Sequence, residues 1–316
     1  MSDVLTLPAA PGGGAPSMPR LLLRALARER AVRYGGLIVA FVVIAALCAP
    51  LAAWLLGHGP NEQFRDLTLD DMGLPIGPSL AFPLGADGNG RDVLVRTLYG
   101  ARVSLLVGIP ATTIAMILGT AIGLVSGYLA GRTDRIVSQV VDIAMSFPFV
   151  VTALSLLSLN RGGTGEPVIA PLMVVILVIA LFSWTFFARL ARGMVLSLRH
   201  SPMVEASRTI GASHPRIVLV DILPNILPVV IVYWAVQLPA NIIAEATLSF
   251  LGVGIQAPDA SWGNMIADAQ RSSLYQDQPW FLFGPGAALF LTVAGFNTLS
   301  AGLRNVLDPH HAGASR

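Results

Sequence analysis

The chain has 316 residues, 54% of them hydrophobic and only 12% charged, with a formal net charge of +2 and a mean hydropathy of +0.69. Soluble domains carry about 25% charged residues, so the excess apolar surface needs lipid to cover it, and a membrane protein is the starting class. All 20 basic residues are arginines; a phosphate-binding loop of the GxxxxGK[ST] type needs a lysine, so any ATP the protein uses must be bound by another subunit.

The first 19 residues are rich in Pro, Gly and Ala and are expected to be disordered, within a cytoplasmic tail over 1–33. Six uncharged stretches follow that meet or approach the roughly 20 apolar residues needed to cross a bilayer. They predict helices at about 34–57, 103–130, 137–159, 167–188, 223–245 and 280–303. The first is read as an anchor rather than a removed signal peptide. It holds Cys48, the only cysteine, so no internal disulfide can form.

The segment 58–101 is expected as a long outer loop carrying Glu62, Asp66, Asp70, Asp71, Asp87 and Asp92. Its DGNGRD run starts like a calcium loop. The fifth and twelfth positions are Arg91 and Leu98, however, where that loop needs an oxygen ligand and Glu. Calcium is rejected, and no metal site is expected. A second outer loop is placed over 250–279 and a short one over 160–166. With six spans both termini share a side, and the arginines decide which. An N-in, C-in arrangement puts 14 of them inside and 6 outside, as the positive-inside rule requires.

Along the second span Ala111, Ala115, Gly119, Gly123, Gly127 and Gly131 recur every four residues. That spacing makes one smooth helix face and predicts close helix–helix packing. Ionisable residues within the spans are few, and Asp142 and Glu245 lie near span ends, which argues against ion-coupled transport. Asn225, Gln237 and Asn241 on the fifth span can line a polar path, although hydrogen bonding between helices is the commoner use of such residues. The chain has no GxSxG, HExxH or CxxC motif, and no catalytic site is expected in it.

The stretch SPMVEASRTIGASHPRIVLVDILPN, from Ser201 to Asn225, runs from the cytoplasmic loop 189–222 into the fifth span. Ser201 and Pro202 form a good helix start. Met203, Ala206 and Ile210 share a face, while Glu205, Arg208 and Thr209 lie elsewhere. Gly211 can take the left-handed conformation that ends a helix, and Ser213-His214-Pro215 begins another that leads into the fifth span. Helix geometry leaves two uses open: resting on the lipid surface, or inserting into a groove on a partner protein.

The spacing of these residues resembles the EAA signature of the inner-membrane permeases of bacterial ABC importers. Glu205, Ala206, Gly211, Leu223 and Pro224 match it, while Ser207 and Asp221 stand where Ala and Ile are usual. FPLGADGNGRDVLVRTLYGARVSLLVG at 82–108, LSFLGVGIQAPDASWGNMIADAQ at 248–270 and FNTLSAGLRNVLDP at 296–309 resemble the C-type permeases of the dipeptide/oligopeptide/nickel importer family. The likeness runs from about residue 30 to 309.

The resemblance implies an all-α polytopic protein of the type I ABC importer permease fold, in the bacterial cytoplasmic membrane, with a permease core over 102–304 and a cytoplasmic tail over 305–316. It implies a second homologous permease, two cytoplasmic ATPases that bind ATP and Mg, an extracytoplasmic substrate-binding protein and surrounding lipid as partners, with no nucleic acid and no cofactor of its own. Met203, Glu205, Ala206, Ser207, Ile210, Gly211, Leu223 and Pro224 would form the coupling segment. The implied cargo is a peptide. Nickel or haem import by the same family is the alternative, and a standalone secondary transporter a more distant one.

Overall fold

The computed structural model describes residues 26–160, 169–271, 276 and 278–307. The expected disorder over 1–19, all but the first residue of the short outer connection expected at 160–166, and the tail beyond 307 lie outside the described residues. Within them the regular structure is helical: α1 (Arg30–Leu56), α2 (Arg65–Thr68), α3 (Val93–Leu129), α4 (Gly131–Ser146), α5 (Phe149–Leu159), α6 (Pro171–Leu198), α7 (Pro202–Thr209), α8 (His214–Arg216), a π-helical segment (Ile217–Ile222), α9 (Leu223–Phe250), α10 (Trp262–Arg271) and α11 (Trp280–Leu307). Helices satisfy their own backbone hydrogen bonds, which is what lipid demands of a spanning segment.

Five helices are long and apolar enough to cross a bilayer: α1, α3, α6, the continuous 37-residue run His214–Phe250, and α11. The third predicted span differs. It is a bent pair, α4 and α5, meeting at 83°. Pro148 is the cause: the residue before a proline is pushed out of the helical region, and Phe147 is extended at φ −79°, ψ 127°.

Helix ends also differ from the hydropathy boundaries. α3 starts at Val93, not 103, because Asp92 caps it by accepting the Val95 amide (3.0 Å). α6 runs on to Leu198, through the start of the expected cytoplasmic loop. The loop expected over 250–279 contains α10. In each case charged residues lower the hydropathy without breaking the helix.

The tightest seam joins α3 to α6. A Cβ on Gly119 would collide with the Trp184 carbonyl and the Phe187 side chain, one on Gly123 would lie 2.5 Å from the Ala188 carbonyl oxygen, and one on Gly127 would lie 2.9 Å from Val195 Cβ. Ala111 and Ala115, on the same face, are fully buried. Gly131 is the exception to the predicted stripe: it lies past the end of α3 at φ +59° with open space around it, and serves the turn into α4. That corner is fastened by Asp134, which accepts from Ser126 Oγ (2.9 Å) and pairs with Arg192 Nη2 (2.9 Å) on α6.

At the end of the bundle where α3 begins, the 57–92 loop and the segment from Leu251 through α10 form a cap. Buried Arg96 ties the two together, its Nη1 donating to the carbonyls of Pro60 (2.9 Å) and Pro258 (3.3 Å). Trp262 is fully buried against Gly100, its Nε1 donating to the Thr97 carbonyl (2.9 Å). The DGNGRD turn is closed by Asp87, whose carboxylate accepts the amides of Asn89 and Arg91 and pairs with Arg91 Nε (2.6 Å). His58 stacks on Phe82 and hydrogen-bonds Asp92 (2.8 Å).

Candidate functional site

At the opposite end of the bundle α7 lies across the approach to α9. Ser201 caps it by accepting the Val204 amide, and Pro202 occupies its first turn. The helix has two apolar sides. Val204 is fully buried and belongs to the core formed with Tyr128, Val195, Ile217, Ile222 and Ile226. Met203 and Ile210 face outward, 42% and 80% exposed, and Ala206 beside them is exposed too. Polar neighbours frame this outward patch: Glu205 and Arg208 pair at 3.4 Å, and Ser207 is half-buried.

Gly211 ends the helix at φ +77°. Its amide donates to the Arg208 carbonyl (3.0 Å) and the Ala212 amide to the Ser207 carbonyl (3.0 Å), the paired bonds of a Schellman motif. No heavy atom lies within 4 Å of a Cβ built at Gly211. Glycine is needed there for conformation, not for space.

Beyond the elbow, His214 Nδ1 meets the Tyr128 hydroxyl of α3 at 2.8 Å, and the Arg208 guanidinium lies 5.8 Å from the Tyr128 ring. The π segment Ile217–Ile222 then merges into α9, with Leu223 and Pro224 in its first turn. Pro224 has no N–H to offer the carbonyl four residues back, and its ring crowds that carbonyl; the wider π turn accommodates this. Asp221 lies in that turn, half-buried, and its carbonyl accepts from Asn225 Nδ2 (2.6 Å).

The neutral polar residues of α9 separate into two places. Asn241 is buried, accepting from Ser183 Oγ (2.8 Å) and donating to Thr112 Oγ1 (2.9 Å). It lines a cavity of about 390 Å³ together with Gln237, Ser183 and the rings of Phe147, Phe149 and Phe182. Asn225 does not belong to that set. It lies about 18 Å from Gln237 along the helix at 1.5 Å per residue, exposed and bonded to the π turn beside α7. Asn241 thus bonds one helix to two others and edges a cavity.

Sequence reasoning missed Val204 and Tyr128 as the points that root this region. It also left Glu245, a fully buried carboxylate on α9, without partners. Val204 is apolar and one residue off the Met203–Ile210 face, so a two-sided pattern was there to be read. The Tyr128–His214 contact spans 86 residues and has no local signature.

Residues 119–312 match the family described as "Binding-protein-dependent transport system inner membrane component". The chain is 36% identical to the dipeptide transport system permease protein DppC of Bacillus subtilis over 90% of this chain and 84% of that protein. It is 35% identical to the oligopeptide transport system permease protein OppC of Haemophilus influenzae over 89% and 85% of the two chains. It is likewise 35% identical to the glutathione transport system permease protein GsiD of Pectobacterium atrosepticum, over 85% and 84%. Among solved structures, an inward-facing form of the MetNI methionine ABC transporter shares the fold at a TM-score of 0.53 and 19% identity, over 68% of this chain and 97% of that one. The matched region runs from the α3–α6 seam through α7 to α11, and the chain belongs to this family of inner-membrane transport components as a multi-span bacterial permease.

Proposed function

We propose that the chain is the permease subunit of an ATP-driven importer of peptides or related substrates, and that α7 is its docking element for an ATPase. The observation that carries this reading is the two-sided burial of α7. Val204 fixes the helix to the core, while Met203, Ala206 and Ile210 present an apolar patch framed by Glu205 and Arg208. An amphipathic helix held rigidly with its apolar side outward suits a groove on a partner. The absence of lysine supports the same division of labour, since ATP must be held by another chain. The permease itself performs no catalysis.

In this reading the α7 end faces the cytoplasm, in keeping with the arginine excess there. ATP-driven closure of two ATPase subunits moves α7. The elbow at Gly211 and the contact between Tyr128 and His214 pass that movement to α9. The cavity edged by Gln237 and Asn241, paired with a second permease, forms part of the path. A peptide cargo is supported by the names of the relatives. Its capture is assigned to a substrate-binding protein on the far side, met by the acidic 57–92 loop.

Purification from membranes tests the assignment. The chain is expected to come out with a second permease and two ATPase subunits, and the reconstituted assembly to import peptide only with ATP. Recovery of a lone chain that transports down an ion gradient would contradict it.

A further inference from the structure

Glu245 has no place in the account so far, yet it is fully buried near the end of α9. Among the described residues its partners are three hydroxyls, not a cation. Oε2 accepts from Ser104 of α3 (3.0 Å), and Oε1 accepts from Ser249 (2.7 Å) and from Ser261, the residue before α10 (2.8 Å). Two of those hydroxyls are themselves fixed by amides: Ile255 N–H donates to Ser249 Oγ (3.0 Å) and Gly263 N–H to Ser261 Oγ (3.2 Å). Each amide takes one lone pair of its hydroxyl, which leaves the hydroxyl hydrogen to donate to the carboxylate. A buried ionisable group in a spanning helix is costly and is kept where it serves a purpose.

The three serines come from three parts of the molecule. Through them one carboxylate joins α3, α9 and the segment that folds back from Leu251 to α10. The surroundings are built to the same end, since a Cβ on Gly263 would collide with the Ala246 backbone. The fastened segment is also a wall: Val253 to Asp259 line a cavity of about 540 Å³ at this end, closed on its other side by Val103, Leu157 and Leu172. Meanwhile α9 continues without a break through the π segment to α8 beside the elbow, a run of 37 residues in all.

We propose that Glu245 is a positioning residue for transport: it locks the 251–261 wall to α9, so that displacement of α9 begun at α7 resets the mouth at the opposite face. This rests on the permease reading above for its source of movement. The lock itself does not depend on that reading and can be tested alone.

The experiment uses the full chain in the assembled transporter, with Cys48→Ser and Ala260→Cys, a buried residue of the 251–261 wall, labelled by a membrane-impermeant maleimide. S261A removes one donor with little change of volume, and E245A removes the acceptor and strands three hydroxyls. Expected are labelling rates raised about tenfold in S261A and further in E245A, as a local opening equilibrium shifts. Stimulation of ATPase activity by the substrate-binding protein falls in parallel, while unstimulated activity stays within about twofold in S261A. E245Q keeps an acceptor for Ser249 and Ser261 and falls between. Unchanged labelling in both S261A and E245Q at normal yield would overturn the lock. Raised labelling with an unchanged stimulation ratio would overturn its role in coupling. If the parent assembly shows no ATPase coupling, the permease reading fails and the labelling rates still decide whether the lock exists.

Discussion

Gly119, Gly123 and Gly127 on α3 and Gly211 after α7 are the same residue used in opposite ways. On α3 the glycines have ordinary helical backbones, and what matters is space, because α6 occupies the position a Cβ would take. At Gly211 space is free on every side, and what matters is a left-handed backbone. The first arrangement makes a seam that cannot slide without losing its packing. The second makes a corner whose direction is set by one residue and whose surroundings leave it room to move. The fold thus places its rigid joint between two membrane helices and its open joint between the exposed patch and α9.

Substitution can break that contrast at either joint, and the seam should give the larger effect. Gly123→Val drives a branched side chain into the α6 backbone, where overpacking costs about 1–3 kcal/mol or more. The expected outcome is loss of most folded protein from the membrane, measured as the monodisperse fraction after detergent extraction, with Gly123→Ala affected less. A normal yield of Gly123→Val would show that the seam is looser than described.

Gly211→Val should behave differently. A β-branched residue in the left-handed region is strained by about 1–2 kcal/mol, but no neighbour is displaced. The protein is expected to accumulate normally and to import less substrate per ATP hydrolysed. Gly211→Asn, which tolerates that backbone, should restore most of the coupling. Equal coupling in glycine, valine and asparagine forms would remove the elbow from the mechanism, and poor accumulation of the valine form would place it with the seam.

Most of the spans were legible because lipid enforces a simple rule: about 20 apolar residues, closed hydrogen bonds. The helix ends were not. Arg96 and Arg102 in α3, and Arg189 and Arg192 in α6, lower the hydropathy of segments that stay helical: Arg96, Arg189 and Arg192 are held by partners on other elements, and Arg102 lies over the Tyr99 ring of its own helix. The break at Pro148 was visible as a Phe-Pro step but lay inside an apolar run, which masked it. In the candidate site, Ser201, Pro202 and Gly211 were readable because capping is local chemistry. Gln237 and Asn241 were legible as polar residues on one helix, while the separation of Asn225 from them needed the helix axis. The carboxylate lock was out of reach: Ser104 and Ser261 approach Glu245 only after the chain folds.

The central claim is that the outward face of α7 is covered by an ATPase subunit. In a Cys48→Ser background, Ile210→Cys places a thiol on that face, at a position 80% exposed in the isolated chain. A short bifunctional maleimide added to the assembled transporter in membrane vesicles should join this chain to an ATPase subunit in high yield, and Cys substituted for the buried Val204 should not react. Failure of Ile210→Cys to join the ATPase, together with its labelling by a lipid-phase reagent, would contradict the claim and place α7 on the membrane surface instead.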